Sequence, residues 1–309
     1  MIVVAGEALV DLLVHPDGRL AATLGGGPYN TARAIGRLGV PVRFIGGLSS
    51  DRFGRELEAG LAADGVSLDL VQRTDLPTTL ALAELDDDGV ATYRFYAEGT
   101  SAPAVLAATL AHGLPPGTLA VHAGTLGLVL EPMATTLEAL IAALPADVLL
   151  MVDPNCRPSV IPDADAYRAR IARVLARADV VKVSVEDVAF LFPGVEPRVG
   201  AAQLLARGPA AVLLTDGGRP VTAFIGDHVI EIPVPNVTVV DTIGAGDTFG
   251  GAVLALLVHE GRNRTDLADP AVIVRAARFG VRASAIACTR AGANPPTLTD
   301  LGGWPAAAG

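Results

Sequence analysis

The chain has 309 residues, of which 51% are hydrophobic and 18% charged, enough to bury a sizeable core in one large α/β domain or two small ones. Its formal net charge of −10 at pH 7 disfavours a nucleic-acid partner. The sequence has no run of about 18 apolar residues, which a membrane-spanning helix would need. The N-terminus lacks the basic region of a signal peptide and two cysteines are too few for a disulfide framework, so we expect a cytoplasmic protein without a membrane partner.

The first forty residues contain a strand, a polar interruption and a glycine-rich helix start. Ile2–Ala5 predicts a buried strand, and Asp11 interrupts the apolar run that follows it. Three glycines at residues 25–27 let the backbone approach a ligand closely. Pro28 suits the first turn of a helix, from which Asn30 would reach the same ligand. The Asp11 carboxylate could accept hydrogen bonds from a polyol, or it could be an exposed charge at a strand end.

Strand and helix patterns then alternate along the chain. Asp51 is predicted as the cap of one of the helices. The predicted strands include Val42–Gly46, Thr118–His122 and Val148–Asp153, and the predicted helices include Phe53–Asp64, Glu131–Leu144 and Val272–Cys288. This alternation predicts an α/β fold with three layers, in which a doubly wound, mostly parallel sheet lies between two layers of helices.

A hairpin interrupts this alternation. Residues 79–85 and 91–96 are predicted as half-buried strands, and they flank the sequence Asp-Asp-Asp-Gly at residues 86–89. Asp-Gly is typical of a tight hairpin turn. The three aspartates are therefore interpreted as a solvated turn rather than as a metal site.

The most distinctive stretch is D-T-I-G-A-G-D-T-F-G-G-A at residues 241–252. It lies between Val237–Val240, which predicts a strand, and Val253–Val258, which predicts a buried helix. Such a turn exposes the first N–H groups of the helix, and these groups and the helix dipole favour phosphate. Asp247 beside this site would act as a general base that takes a hydroxyl proton, while the helix end stabilises a transferring phosphoryl group.

Two familiar phosphate motifs do not fit this stretch. A dinucleotide fingerprint needs its third glycine where Phe249 stands. A P-loop needs a lysine after the glycines, but Lys182 is the only lysine in the chain. The alternative to a phosphate site is a tight turn in which Asp247 only begins a helix, as aspartate often does.

Residues 241–252 resemble the C-terminal signature of the ribokinase-like sugar kinases, also called the phosphofructokinase-B family. Residues 25–39, G-G-G-P-Y-N-T-A-R-A-I-G-R-L-G, resemble the N-terminal signature of that family. The two signatures have the family's order and about its spacing, and the likeness covers essentially the whole chain. It implies a single kinase domain over residues 1–309, with a small β lid formed by segments near 11–24 and 78–97. It also implies a homodimer, in which two lids cover each other's open face.

The resemblance implies a role for each site residue. The base and the anion-binding turn would be Asp247, Gly244, Ala245 and Gly246. The residues that bind the sugar would be Asp11, Gly26, Gly27, Asn30 and Arg157. The residues that bind ATP and its Mg²⁺ would be Ser184, Asp187, Thr215, Gly217 and Gly246. A monovalent cation such as K⁺ would bind at Asp241 and Ile243.

Several segments resemble fructokinases within this family. D-P-N-C-R at residues 153–157 is similar to the D-x-N-x-R segment of fructokinases and 2-keto-3-deoxygluconate kinases, and Ser184 replaces the asparagine that the family commonly has there. We therefore expect an ATP-dependent kinase with fructose as acceptor. 2-Keto-3-deoxygluconate, ribose and a nucleoside stay open as acceptors, and a non-catalytic sugar sensor on the same fold is the alternative from another class.

Overall fold

A computed structural model describes residues 1–14, 17–85, 91–110 and 113–306. Within these residues the strands are β1 (Ile2–Ala5), β2 (Leu9–Val14), β3 (Leu20–Gly25), β4 (Val42–Ile45), β5 (Gly47–Ser49), β6 (Val66–Ser67), β7 (Gln72–Thr74), β8 (Leu80–Leu85), β9 (Ala91–Tyr96), β10 (Ala120–Gly124), β11 (Leu149–Asp153), β12 (Val180–Ser184), β13 (Ala211–Thr215), β14 (Val221–Ile225) and β15 (His228–Ile232). The helices are α1 (Gly27–Arg37), α2 (Arg52–Ala63), α3 (Met133–Ala142), α4 (Ala164–Arg177), α5 (Val185–Leu191), α6 (Pro197–Leu205), α7 (Ala245–His259) and α8 (Pro270–Cys288). The predicted alternation of strands and helices is confirmed.

Nine strands form the central sheet, in the order β15-β14-β13-β12-β11-β10-β1-β4-β6. The seven strands from β13 to β6 are parallel, and β14 and β15 extend one edge in antiparallel fashion. The chain proceeds in opposite directions from β1, with β4 on one side and β10 on the other. This is the doubly wound arrangement, in which ligands bind beyond the carboxyl ends of the strands.

Helices cover both faces of the sheet because successive side chains of a buried strand point to opposite sides. On β1, Ile2 and Val4 pack in a core with residues of α1, α2, α7 and α8. Val3 and Ala5 pack in a second core with residues of α3, α4, α5 and α6. The predicted three-layer α/β/α class is therefore confirmed. None of the helices in the described part of the chain combines the length and the hydropathy that a membrane span needs.

A separate four-stranded sheet, in the order β3-β2-β8-β9, lies at the positions predicted for the lid. β2 and β8 are parallel, whereas the β2–β3 and β8–β9 pairs are antiparallel. The two strands of the predicted hairpin are confirmed, and its Asp-Gly turn at 86–89 lies outside the described residues. Leu20 is 67% exposed and Tyr96 is 51% exposed, so this sheet presents apolar side chains to solvent.

The strand predicted at Val237–Val240 is wrong. Residues 233–239 form no sheet pairing, and Val239 and Val240 are 58% and 61% exposed. The N–H groups of Val240 and Asp241 donate instead to the carbonyl oxygen of Cys288 at the end of α8. β-Branched residues favour a strand only where a partner strand is available, and this segment leaves the sheet after β15.

Asp51 caps α2, as predicted, and also ties the helix to the start of β8. Its Oδ1 accepts a hydrogen bond from the N–H of Gly54 at 2.8 Å, and its Oδ2 accepts one from the N–H of Thr78 at 2.8 Å. We expect Asp51→Ala to lower the free energy of unfolding by about 1–2 kcal/mol because the cap is lost, as measured by urea denaturation. Asp165→Ala, which removes a 93% exposed carboxylate, should change it by less than about 0.5 kcal/mol. Equal effects of the two substitutions would contradict the capping role.

Candidate active site

The start of α7 carries the turn predicted to bind an anion. Gly244 precedes the helix with a φ of 71°, a left-handed conformation that favours glycine. The N–H of Ala245 donates to the carbonyl oxygen of Thr242 at 3.1 Å. The N–H groups of Gly246 and Asp247 have no acceptor among the described residues. The turn therefore offers two free N–H groups at a helix N-terminus, where the helix dipole also favours an anion.

Asp247 lies between this turn and the N-terminal glycine loop. Its Oδ2 accepts a hydrogen bond from Asn30 Nδ2 at 2.9 Å. A β-carbon placed on Gly27 would lie 3.3 Å from Asp247 Oδ1. Burial raises the pKa of Asp247 to about 6, although the hydrogen bond from Asn30 opposes this shift. A carboxylate with this pKa is ionised at neutral pH and can accept a proton from a bound hydroxyl.

The other residues predicted to bind the sugar lie around the same loop. Gly26 has a φ of 109°, and a β-carbon on it would lie 2.8 Å from the carbonyl oxygen of Glu7, so this position requires glycine. The Asp11 carboxylate lies against Gly25, since it occupies the space that a β-carbon on Gly25 would need. Burial raises the pKa of Asp11 to about 6, and the charge of Arg157 opposes this shift. Arg157 is exposed, and its positive charge also opposes the rise in the pKa of Asp247 that burial causes.

A buried ion pair behind the start of α7 was missed by sequence reasoning. Lys182 Nζ lies 2.9 Å from Asp153 Oδ2, and both side chains are buried. A β-carbon placed on Gly246 would lie 3.1 Å from Lys182 Nζ. Burial lowers the pKa of Lys182, but the Asp153 carboxylate outweighs that effect and the net pKa is raised. A charged ammonium therefore lies against the turn. The signal in the sequence is a single lysine inside an apolar strand, which is rarely buried without a partner.

Glu7 was also missed. It is 1% exposed, and its two carboxyl oxygens accept hydrogen bonds from the N–H groups of Gly27 and Gly127, both at 3.1 Å. Burial raises the pKa of Glu7 to about 8 against the effect of these hydrogen bonds. Glu7 joins the glycine loop to the turn after β10. An acidic residue inside an apolar run is the signal that could have indicated it.

The residues predicted to bind the nucleotide follow two neighbouring strands. Ser184 and Thr215 end β12 and β13 and lie opposite each other in the sheet, and Gly217 follows in an open turn with a φ of 52°. Ser184 and Asp187 form a capping box at the start of α5. Asp187 Oδ1 also accepts a hydrogen bond from the N–H of Cys156 at 2.6 Å. Asp187 thus has a structural role, and its link to Mg²⁺ stays a prediction.

Asp241 joins the loop before α7 to the closing turn of the chain. Its two carboxylate oxygens accept hydrogen bonds from the N–H of Ile243 at 3.0 Å and from the N–H of Gly292 at 2.8 Å. No group of three or more His, Cys, Asp or Glu side chains suited to a metal ion occurs within the described ranges. The monovalent cation at Asp241 and Ile243 stays a prediction.

Comparisons with known proteins agree with this geometry. The family described as pfkB family carbohydrate kinase matches residues 1–300. A fructokinase of Rhizobium leguminosarum bv. trifolii is 37% identical over 261 residues, which cover 83% of this chain and 79% of that protein. A fructokinase of Vibrio alginolyticus is 32% identical over 302 residues, or 96% of each chain.

A solved structure extends the likeness to three dimensions. The crystal structure of fructokinase with bound ATP from Xylella fastidiosa has a TM-score of 0.87 and 29% sequence identity, with 97% of this chain and 96% of that chain covered. The resemblance and the fold class predicted from the sequence are confirmed. The match spans both signatures and every strand of the central sheet, and the chain therefore belongs to the pfkB family of carbohydrate kinases.

Proposed function

We propose that this chain is a fructokinase that transfers the γ-phosphoryl group of ATP to a hydroxyl of fructose. The observation that carries the proposal is the position of Asp247, which lies between the glycine loop of the sugar site and the free N–H groups of α7. Relatives named fructokinase are 37% and 32% identical to the chain, and a fructokinase of similar structure binds ATP. These likenesses favour fructose over the other acceptors.

Five residues of the site take part in the proposed transfer. Asp247 takes the proton of the acceptor hydroxyl as the hydroxyl oxygen attacks the γ-phosphorus of ATP, and the bond from that phosphorus to the bridging oxygen breaks so that ADP leaves. The N–H groups of Gly246 and Asp247, with the Lys182 ammonium behind them, stabilise the negative charge on the transferring group. Asp11, which lies against Gly25 of the glycine loop, and Arg157 would bind the sugar.

Magnesium is the proposed metal, since Mg²⁺ bound with ATP supplies charge neutralisation on the phosphates. Asp153 Oδ1 is buried and has no hydrogen-bond partner among the residues that the structure describes. An unpaired carboxylate oxygen is the kind of ligand that Mg²⁺ prefers, and the ion usually keeps several waters as well. Asp153 and, less directly, Asp187 would hold the ion.

The pKa of Asp247 predicts how activity depends on pH. Because the base acts in its ionised form and its pKa is raised to about 6, kcat/KM should be constant near pH 8 and fall as the pH decreases through about 6. Asp11 has a similar raised pKa, so the fall should be at least tenfold per pH unit well below 6. Steady-state rates between pH 5 and 8.5 measure the profile. A kcat/KM that stays constant down to pH 5 would contradict the assignment of the base.

The acceptor is tested by measuring ADP release from Mg-ATP with fructose, ribose, 2-keto-3-deoxygluconate and adenosine. We expect fructose to give the highest kcat/KM. A higher value for another acceptor would refute the fructose assignment and keep the kinase. Sugar binding by calorimetry without ADP release on any acceptor would favour the non-catalytic sensor, although the intact base and helix start argue against it.

We also propose a homodimer through the four-stranded sheet, because Leu20 and Tyr96 on its two edge strands are exposed and pairing two such sheets would remove apolar surface from water. Light scattering should give twice the chain mass, and Leu20→Glu should give one chain mass. A monomeric wild-type protein would refute this proposal.

A K⁺ requirement and a cytoplasmic location complete the proposal. The carboxylate of Asp241 would contribute to the cation site, beside the carbonyl groups of the same loop. Activity in K⁺ should exceed activity in tetramethylammonium at equal ionic strength, and equal activities would refute the cation site.

Fractionation of the native cells, followed by immunodetection of the protein, tests the proposed cytoplasmic location.

A further inference from the structure

Two residues near Asp247 have a strained backbone. Thr125 has a φ of 51° and Asn155 has a φ of 40°, and no other non-glycine residue in the described ranges has a positive φ. Asparagine tolerates this conformation, but for β-branched threonine it is an outlier. Such strain costs of the order of 1–3 kcal/mol and persists where the surroundings impose it, often at functional sites. The two residues follow the neighbouring strands β10 and β11.

Buried contacts hold both strained residues in place. Thr125 begins a 3-10 turn, Thr125–Leu128, and Glu7 accepts a hydrogen bond from Gly127 in that turn. The same carboxyl group accepts a hydrogen bond from Gly27, so the turn is fixed relative to the glycine loop. On the other strand, the residue after Asn155 is held by its hydrogen bond to Asp187.

The polar atoms of the two side chains and of Asp247 border the same face of Gly27. A β-carbon placed on Gly27 would lie 2.5 Å from Thr125 Oγ1, 3.3 Å from Asp247 Oδ1 and 3.4 Å from Asn155 Nδ2. Asn155 Nδ2 donates a long hydrogen bond of 3.4 Å to Thr125 Oγ1. The amide nitrogen has two hydrogens, and the second has no acceptor in the part of the chain that the structure describes; it lies near the face of Gly27 that Asp247 Oδ1 also borders.

We propose that Asn155 is a further substrate-binding residue, which donates a hydrogen bond to the acceptor hydroxyl that Asp247 deprotonates. Thr125 is a positioning residue, which accepts the other amide hydrogen and so fixes the direction of the Asn155 side chain. A hydroxyl oxygen has two lone pairs. One accepts a hydrogen bond from Asn155 Nδ2, and the other attacks the γ-phosphorus while Oδ1 of Asp247 takes the proton and ADP leaves with the bridging oxygen. This inference rests on the proposed kinase function and adds to it the groups that orient the attacking oxygen.

The direct test replaces Asn155. Asn155→Gly removes the amide and suits the positive φ, so its backbone should be unchanged. We expect kcat to fall by about 10–100-fold because the reacting hydroxyl loses its orientation, with less than about a threefold change in the KM for ATP. Asn155→Asp, which replaces the donor by an acceptor, should lower kcat at least as much, and it keeps the test valid if the glycine variant does not fold.

Thr125 offers a matched pair of variants. Thr125→Val keeps the β-branched shape and removes the hydroxyl, whereas Thr125→Ser keeps the hydroxyl. We expect about a 3–10-fold lower kcat for the valine variant and near wild-type kcat for the serine variant, since orientation acts mainly on the chemical step. A merely structural role of Thr125 would instead lower the thermal stability of the two variants and leave kcat unchanged.

A second readout separates orientation from simple binding. In Asn155→Gly, water should compete with the poorly held hydroxyl, so the ratio of sugar phosphate formed to ADP released should fall below the wild-type ratio. The acceptor is whichever sugar the wild-type enzyme phosphorylates. Wild-type kcat and an unchanged product ratio in both Asn155 variants would overturn the inference and leave the kinase assignment intact. Absence of turnover in the wild-type enzyme would overturn both.

Discussion

Asp247→Asn is expected to lower kcat by about 10²–10⁴-fold, the usual effect of removing a general base. Asparagine has nearly the same shape and can still accept the hydrogen bond that Asn30 donates. The glycine loop should therefore keep its structure, and the KM for the acceptor should change little. Steady-state ADP release at saturating ATP and fructose measures the effect.

Asp227→Asn is the matched control for this variant. Asp227 is an exposed residue in the turn between β14 and β15, so its replacement should leave kcat unchanged. Circular dichroism of both variants should match the wild-type protein. Wild-type kcat in Asp247→Asn would show that another group takes the proton.

Lys182→Met is expected to lower the free energy of unfolding by about 3–5 kcal/mol, because it leaves the Asp153 carboxylate buried without its partner. Urea denaturation followed by circular dichroism measures the change. The rate of phosphoryl transfer should fall as well, since the ammonium lies against Gly246 at the start of α7.

Two controls separate the buried pair from ordinary surface charge. The double variant Lys182→Met/Asp153→Leu should recover most of the stability, because apolar residues can replace a buried ion pair, but it should not recover activity. Arg198→Met, which removes an exposed partner of Glu231, should cost less than about 1 kcal/mol. A Lys182→Met variant as stable as Arg198→Met would contradict the role of the pair.

Much of the fold could be predicted because its elements have strong local patterns. The apolar strand Ile2–Ala5 and the long helix at the C-terminus agree with prediction within about two residues. The site could be placed because each of the two signature stretches begins a helix, α1 at Gly27 and α7 at Ala245, and the first turn of a helix can bind an anionic ligand. Asn30 and Asp247 are 217 residues apart in the sequence, and the order of the strands brings them within hydrogen-bond distance.

What sequence reasoning missed depends on tertiary contacts. Glu7 and Lys182 look like isolated charges in apolar segments, and their importance appears only with their partners, Gly27 and Asp153. The strained backbone of Thr125 has no sequence signal, since threonine normally avoids that conformation. The strand predicted at Val237–Val240 is the opposite error, a local pattern that predicted too much. Its β-branched residues favour a strand, but the segment has no neighbouring strand to pair with.

The central claim is that Asp247 promotes transfer of the γ-phosphoryl group of ATP to a sugar hydroxyl. The most direct test follows ATP labelled at the γ-phosphate during a single turnover with fructose. The label should appear in a sugar phosphate, only when fructose is present, and about 10²–10⁴ times more slowly in Asp247→Asn. Release of the label as inorganic phosphate at the same rate with and without sugar, or unimpaired transfer by the variant, would contradict the claim.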